Sequence, residues 1–228
     1  MEDKILYIKY GGLGDNLQYS TLPELFVKNG YDVYISNQSE FRNDEIKKLV
    51  WDYNPYIKGY SDKTPNCGAV MEYRNDFNYS IIENWEIIHG FKPINKYPII
   101  YYQPKFDERF INKVFIDLGY TSTYYDDKRI YEEFNKLNED FIEINFNYPV
   151  SKKKINLKNF ENTIVINSIF EYCDLIFNCK KIYTTFSGAS VLASAIIRYG
   201  EKKCWVFINT HYYNQKNYVF ENLNYIIC

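Results

Sequence analysis

The sequence predicts an α/β protein built as two successive lobes, and three observations carry that prediction. The chain opens on strand, glycine loop, helix and strand in the stretch KILYIKYGGLGDNLQYSTLPELFVKNGYDVYIS. A comparable alternation restarts at Lys113, and residues 91–105 between the two are punctuated by Pro93, Pro98 and Pro104. Strands alternating with helical segments of this length form parallel βαβ units. A proline-broken connection is where a chain crosses between lobes, so the boundary is set near residue 104, giving lobes 1–104 and 105–228. At 228 residues, against about 150 per domain, two small lobes or one large domain is all that the length allows.

In the first lobe Lys4 to Tyr10 alternates apolar and polar residues as a strand does and stops at Gly11-Gly12-Leu13-Gly14. Asp15 or Asn16 can cap a helix over Leu17 to Lys28, with Asn29-Gly30 as its left-handed stop. Tyr31 to Ser36 is the second strand of a right-handed parallel unit. Asn43 to Trp51 reads as a short helix, and Tyr53 to Gly68, broken by Pro55, Gly59, Pro65 and Gly68, as a long irregular connection. Ser80 with Glu83 forms a capping box for a helix closed by Gly90.

The second lobe runs strand Lys113 to Leu118, turn at Gly119, helix Asp127 to Leu137 and strand Phe141 to Asn147. Lys152-Lys153-Lys154 reads as a solvated turn and Thr163 to Asn167 as a buried strand. A second capping box at Ser168 and Glu171 opens a helix to Asn178. A strand at Lys181 to Thr184, the loop Phe186 to Ser190, a helix Val191 to Tyr199 closed by Gly200, and strands Lys203 to Ile208 and Leu223 to Ile227 complete the chain.

With 46% hydrophobic and 25% charged residues the chain is an ordinary globular protein. A net charge of -2 argues against a sequence-independent grip on nucleic acid phosphates. Cys67, Cys173, Cys179, Cys204 and Cys228 lack the spacing of a zinc site and read as buried, reduced thiols. The N-terminus has neither the basic and apolar regions of a signal peptide nor a membrane span, so a cytoplasmic protein is expected. Tyr 25, Phe 16 and Trp 3 make 19% aromatic content. AT-rich codon usage explains such an excess, and so does a surface of tyrosines suited to stacking on sugars or on a partner.

Two loops hold the residues that suit chemistry. Gly11, Gly12, Gly14, Asp15 and Asn16 follow the first strand at its carboxyl end, where parallel sheets gather ligands. The spacing is not that of a dinucleotide-binding fingerprint. Asp15 at a helix N-terminus is expected to stay ionised and to accept a proton, and the same position suits a simple helix cap. Thr185, Ser187, Gly188, Ala189 and Ser190, with Thr184, stand between a strand and a helix start, where unpaired N–H groups suit a diphosphate; Ser190 could equally be the helix cap. His89 and His211 stand in separate lobes and suggest no metal site, and Ser187 lacks the G-x-S-x-G elbow of a hydrolase.

Together these loops resemble those of glycosyltransferases of the heptosyltransferase type. The opening stretch with Thr21 and Pro23 resembles that family's first strand, glycine-aspartate loop and helix, and IFEYCDLIFNCKKIYTTFSGASVLASAI its donor-side helix, strand and Ser-Gly helix start, continued by Leu192, Ala193 and Ala195. The resemblance implies a GT-B-like α/β fold of two small Rossmann-like lobes facing a cleft, with acceptor on the first and donor on the second. It implies Asp15 as the base, Ser187, Gly188 and Ser190 at the donor diphosphate, inversion at the anomeric carbon, and neither metal nor cofactor. The implied partners are a nucleotide-sugar and a glycan or lipid-linked saccharide acceptor, and peripheral membrane contact is compatible. Where the family carries Asp before the Ser-Gly pair and His three residues after the glycine, this chain has Phe186 and Val191, which also fits a non-catalytic carbohydrate or nucleotide-sugar binder. A tyrosine-rich interaction protein is the third reading.

Overall fold

The structure, a computed structural model, describes residues 2–68, 78–120, 126–148, 153–157, 160–197, 200–201 and 203–228. The chain forms two compact units, Met1–Tyr102 with Lys216–Tyr218 and Gln103–Gln215 with Val219–Cys228. The return of three C-terminal residues to unit 1 has no signal in the sequence. Asn217 O accepts the Ile81 N–H at 2.6 Å there.

Unit 1 comprises β1 (Asp3–Tyr7), α1 (Leu13–Leu17), α2 (Leu22–Lys28), β2 (Asp32–Ser36), α3 (Asp44–Lys47), β3 (Gly59–Ser61), β4 (Cys67–Gly68) and α4 (Ile81–Ile88). Its four strands are parallel in the order β3-β2-β1-β4. The helix expected over Leu17 to Lys28 is two helices. Pro23 has no N–H to donate back to Tyr19 and is tolerated only in the first turn of α2, so residues 18–21 bridge the two. The connection 53–68, expected to be irregular, holds β3 and β4, too short to show a period. Gly30 stops α2 at φ +85°, and α4 carries the Ser80/Glu83 capping box and the Gly90 stop at φ +81°. The helix expected over Asn43 to Trp51 is α3, capped by Asn43, followed by a π-helical turn, Lys48–Asp52, that buries Trp51 completely.

Unit 2 comprises β5 (Val114–Asp117), β6 (Gly119–Tyr120), α5 (Asp127–Phe134), β7 (Phe141–Phe146), β8 (Lys153–Lys154), β9 (Asn162–Ile166), α6 (Ile169–Asn178), β10 (Lys181–Thr185), α7 (Gly188–Ile196), β11 (Cys204–Ile208), α8 (Thr210–Gln215) and β12 (Asn224–Ile227). Six strands lie parallel in the order β12-β11-β10-β5-β7-β9, and β6 pairs antiparallel with β8. Three expectations are corrected here. β9 is the edge strand of the described sheet, and its Thr163 and Val165 are exposed rather than buried. Lys153 and Lys154 form β8 rather than a free turn, and Lys154 pairs with Glu143 at 3.1 Å. α7 begins at Gly188, not Val191, because Ser187 supplies the cap. Lys152 and Tyr199 lie outside the described residues.

Both sheets obey one rule of topology. In unit 1 the chain moves from β1 outward to β2 and β3 and then returns to place β4 on the other flank of β1. In unit 2 it moves from β5 to β7 and β9 and returns to place β10, β11 and β12 on the other flank. Each sheet therefore has a point where the strand order reverses, between β1 and β4 and between β5 and β10. At that point the loops leaving the carboxyl ends of the strands diverge and leave a crevice.

Candidate functional site

In unit 1 the loop leaving β1 stands at the reversal point. Gly12, with φ -67° and ψ 156°, is the N-cap of α1 and brings no capping side chain. Asp15, expected as a possible cap, is instead the third residue of α1. Its carboxylate turns back to accept the N–H groups of Gly12 and of Asp15 itself. Burial raises the pKa of Asp15, and the Arg42 guanidinium and these N–H groups lower it; burial wins, so the net shift is upward. The five-residue helix supplies little dipole of its own, so among these groups it is chiefly the Arg42 guanidinium and the two N–H groups that favour the ionised carboxylate against burial.

Asn16 is 0% exposed. Its amide donates to Gly12 O at 2.9 Å, and its oxygen accepts the Trp51 indole N–H at 2.7 Å. Gln18 repeats the device with Trp85 at 2.8 Å, while donating to Asp15 O at 2.9 Å. Two buried indoles thus fix the helix that carries Asp15, and Asn16 supports the loop from below. Gly14 lies in the first turn of α1, beside Asp15.

In unit 2 the corresponding reversal point brings together two loops. Ser187 is the N-cap of α7: its Oγ accepts the Ala189 N–H at 3.3 Å, and Ser190 Oγ accepts the Ser187 N–H at 3.3 Å. Ser190 therefore completes the cap and is not the cap itself. Thr185 and Ser190 are buried, whereas Ser187, Gly188 and Ala189 reach solvent. Within the first turn the Gly188 N–H has no hydrogen-bond partner among the described residues. Thr185 Oγ1 donates to Gly119 O at 2.6 Å. Phe186 and Val191 are packed in the core, with Phe186 against the Tyr212 ring at 5.2 Å.

Asp117, Tyr172 and Asn222, which sequence reasoning missed, organise this region. Asp117, at the end of β5, is buried, accepts the Gly119 N–H at 2.9 Å and receives the Tyr172 hydroxyl at 2.9 Å. Burial pushes its pKa up, opposed by these hydrogen bonds and by Lys154. Gly119 is therefore held through its N–H by Asp117 and through its C=O by Thr185. Asn222 donates to Ser194 O and Ile197 O, both at 2.9 Å, and closes the far end of α7. The only sequence signal was an acid inside the apolar run FIDL.

The remaining chemistry is quiet. All five cysteines are free and buried, as expected. Among the described residues no three His, Cys, Asp or Glu side chains are placed to hold a metal ion, and no helix is long and apolar enough to cross a membrane. A cavity of about 550 Å³ in unit 1, lined by Lys4, Phe26, Tyr31, His89 and Phe91 among others, contains none of the expected site residues.

No protein-family profile and no curated protein sequence matches the chain. Solved structures do. The iron-containing dodecameric glycosyltransferase TibC of enterotoxigenic E. coli is similar at a TM-score of 0.62 and 13% identity, over 90% of this chain and 57% of TibC. A family 9 glycosyl transferase from Veillonella parvula gives 0.62 and 9%, over 100% and 85%. The E. coli heptosyltransferase WaaC with ADP gives 0.54 and 8%, over 100% and 93%. The chain thus spans little more than half the length of TibC. TibC is iron-containing, and the described residues of this chain hold no group of three His, Cys, Asp or Glu that fits such an ion. At these identities the likeness is one of architecture: the α/β fold of this chain is the fold of heptosyltransferase-type glycosyltransferases.

Proposed function

We propose that the protein is a glycosyltransferase that moves a sugar from a nucleotide-sugar to a hydroxyl of a glycan or lipid-linked saccharide. The observation that supports this most is the placement of both candidate loops. Each stands at the strand-order reversal of its own parallel sheet, one offering a carboxylate and the other an open N–H at a helix start. In this reading unit 1 carries the acceptor and unit 2 the donor.

Asp15 accepts the proton of the acceptor hydroxyl as that oxygen attacks the anomeric carbon, and the bond from carbon to the diphosphate oxygen breaks. Attack opposite the leaving group inverts the anomeric centre. An upward-shifted carboxylate is the stronger base, provided it is ionised at the working pH. The Gly188 N–H, the Ser187 hydroxyl and the first turn of α7 receive the charge that develops on the leaving diphosphate, the role a metal ion fills elsewhere. Gly11, Gly12 and Gly14 shape the acceptor side, and Thr185, Ala189 and Ser190 the donor side. The reading needs no cofactor and suits a cytoplasmic chain.

A second reading, a binder of nucleotide-sugar or carbohydrate without transfer, is favoured by one observation. Phe186 and Val191, standing where the resembling family carries Asp and His, are both committed to the core.

A thermal-shift panel of UDP, GDP, ADP and CMP and their sugar conjugates tests the donor side, with ADP first because WaaC and TibC have been seen with ADP and ADP-heptose. Ligand at about 100 times its Kd raises stability by about 2.7 kcal/mol. Expected is a shift with one nucleotide class, followed by release of the nucleoside diphosphate when acceptor is supplied. A shift without release supports the binder, and no shift with any nucleotide removes the transferase and the nucleotide-sugar binder alike.

A further inference from the structure

The glycine pair before Asp15 also meets a steric requirement within the chain itself. Neither Gly11 nor Gly12 has the positive φ that would demand glycine. Both are sites of close approach. A Cβ on Gly11 would stand 2.8 Å from the Arg42 backbone nitrogen and 3.0 Å from the Phe41 carbonyl carbon. A Cβ on Gly12 would collide with Asp15 Oδ2 and lie 3.4 Å from Arg42 Nη2. The segment they admit is tied down by backbone: Arg42 N–H donates to Gly11 O at 2.9 Å and Glu40 N–H to Ile8 O at 2.9 Å. Ser39 adds its hydroxyl as acceptor for the Ile8 N–H at 3.1 Å. The connection after β2 is thereby laid along the loop after β1, and it delivers one guanidinium beside one carboxylate.

Resting on the reading of Asp15 as base, we infer that Arg42 is a positioning residue for it, holding the carboxylate oriented and ionised until the acceptor hydroxyl arrives. The electrostatics agree. Burial drives Asp15 toward its neutral form, and Arg42 is the strongest opposing influence. Among the described residues the other groups facing the carboxylate are the N–H groups of Gly12 and Asp15, which are fixed dipoles and do not titrate. Arg42 is exposed, so its influence is open to screening by salt, and its replacement leaves the buried Asn16 and Gln18 supports intact. Without Arg42, Asp15 would stay protonated to higher pH and the acid side of the reaction's pH range would close. The glycines serve transfer through this contact, by making room for a cation.

The test is a carboxyl-detected NMR titration of Asp15 in the wild type, Arg42→Gln and Arg42→Lys, alongside the pH profile of kcat/KM for transfer. The Asp15 midpoint should rise in Arg42→Gln and fall back in Arg42→Lys. Each unit of displacement should cost about tenfold in kcat/KM on the acid limb. At about 1 M salt the wild type should approach Arg42→Gln. An Asp15 midpoint unmoved in Arg42→Gln overturns the inference, and so does transfer whose acid limb ignores Arg42. Should the midpoint move while no donor supports transfer, the contact between Arg42 and Asp15 stands and the transferase reading fails.

Discussion

The two reversal points share one backbone plan and differ in the chemistry placed on it. In unit 1 the loop after β1 carries a titratable carboxylate, faced by a cation and supported by two buried indoles. In unit 2 the loop after β10 carries hydroxyls and an open N–H, and the nearby carboxylate of Asp117, at the end of β5, is buried and spent on fixing Gly119. The first arrangement can change its protonation state during a reaction. The second cannot, but it can hold a negative group without moving. In the proposed reading proton transfer falls to unit 1 and anion stabilisation to unit 2, and substitutions that affect one without the other test it.

The largest effect expected is on unit 1 chemistry alone. Asp15→Asn keeps an oxygen for the Gly12 N–H but cannot accept a proton, so transfer should fall by about 10²- to 10⁴-fold. Because burial raises the Asp15 pKa in the folded state, ionising it weakens the fold, and the amide should melt no lower than the wild type. Nucleotide affinity should not change. A melting loss of several degrees would make Asp15 a structural cap.

Acid should separate the units next. His89 in unit 1 is held at a pKa of about 4 by burial first and the Lys4 ammonium second, with its Nε2 accepting the Gly68 N–H at 3.3 Å. A folded imidazole that titrates below its unfolded value of 6.5 contributes stability that is complete above 6.5 and lost as the pH falls toward 4. The loss approaches about 3 kcal/mol. Acid titration followed by Trp85, which stacks on the His89 ring at 6.0 Å, should report it, and His89→Gln should flatten that response.

Unit 2 is probed most cleanly at Gly188. The residue is the first of α7, where proline is tolerated, and Ser187 before it is extended, as a residue preceding proline prefers. Gly188→Pro therefore removes the open N–H and little else. Losing one hydrogen bond to a charged group, about 1.5 to 3 kcal/mol, should weaken nucleoside diphosphate binding by about 10- to 100-fold in calorimetry. The Asp15 midpoint should stay in place.

What the sequence made legible follows from the range of the physics. The first βαβ unit, the Ser80/Glu83 box, the Gly30 and Gly90 stops and the hydroxyl loop are local, and each was read correctly in kind. β3 and β4 have two or three residues and no period to detect, and α8, THYYNQ, has no apolar face to betray it. The second capping box is half present: Ser168 caps α6, but Glu171 turns its carboxylate to the Asn167 N–H and to Arg109. The contacts that define the site were out of reach, since Asn16 with Trp51, Asp117 with Tyr172 and Arg42 with Asp15 are joined only by the fold.

The smallest effect expected sets the two helix starts directly against each other. Ser187 caps α7 through its side chain, so Ser187→Ala should cost about 1 kcal/mol of unit 2 stability. At Gly12, the N-cap of α1, general capping preference recommends the reverse change, glycine to serine. There the added Cβ would collide with the Asp15 carboxylate beneath the Arg42 guanidinium. Gly12→Ser should therefore destabilise unit 1 or displace Asp15, visible as a changed Asp15 titration, although it installs the preferred capping residue. Equal and opposite outcomes at the two positions would mean that both helix starts are merely capped. A penalty for adding the serine as well as for removing it would mean that Gly12 is kept small for the carboxylate, and that only unit 2 begins its helix as an ordinary capped helix does.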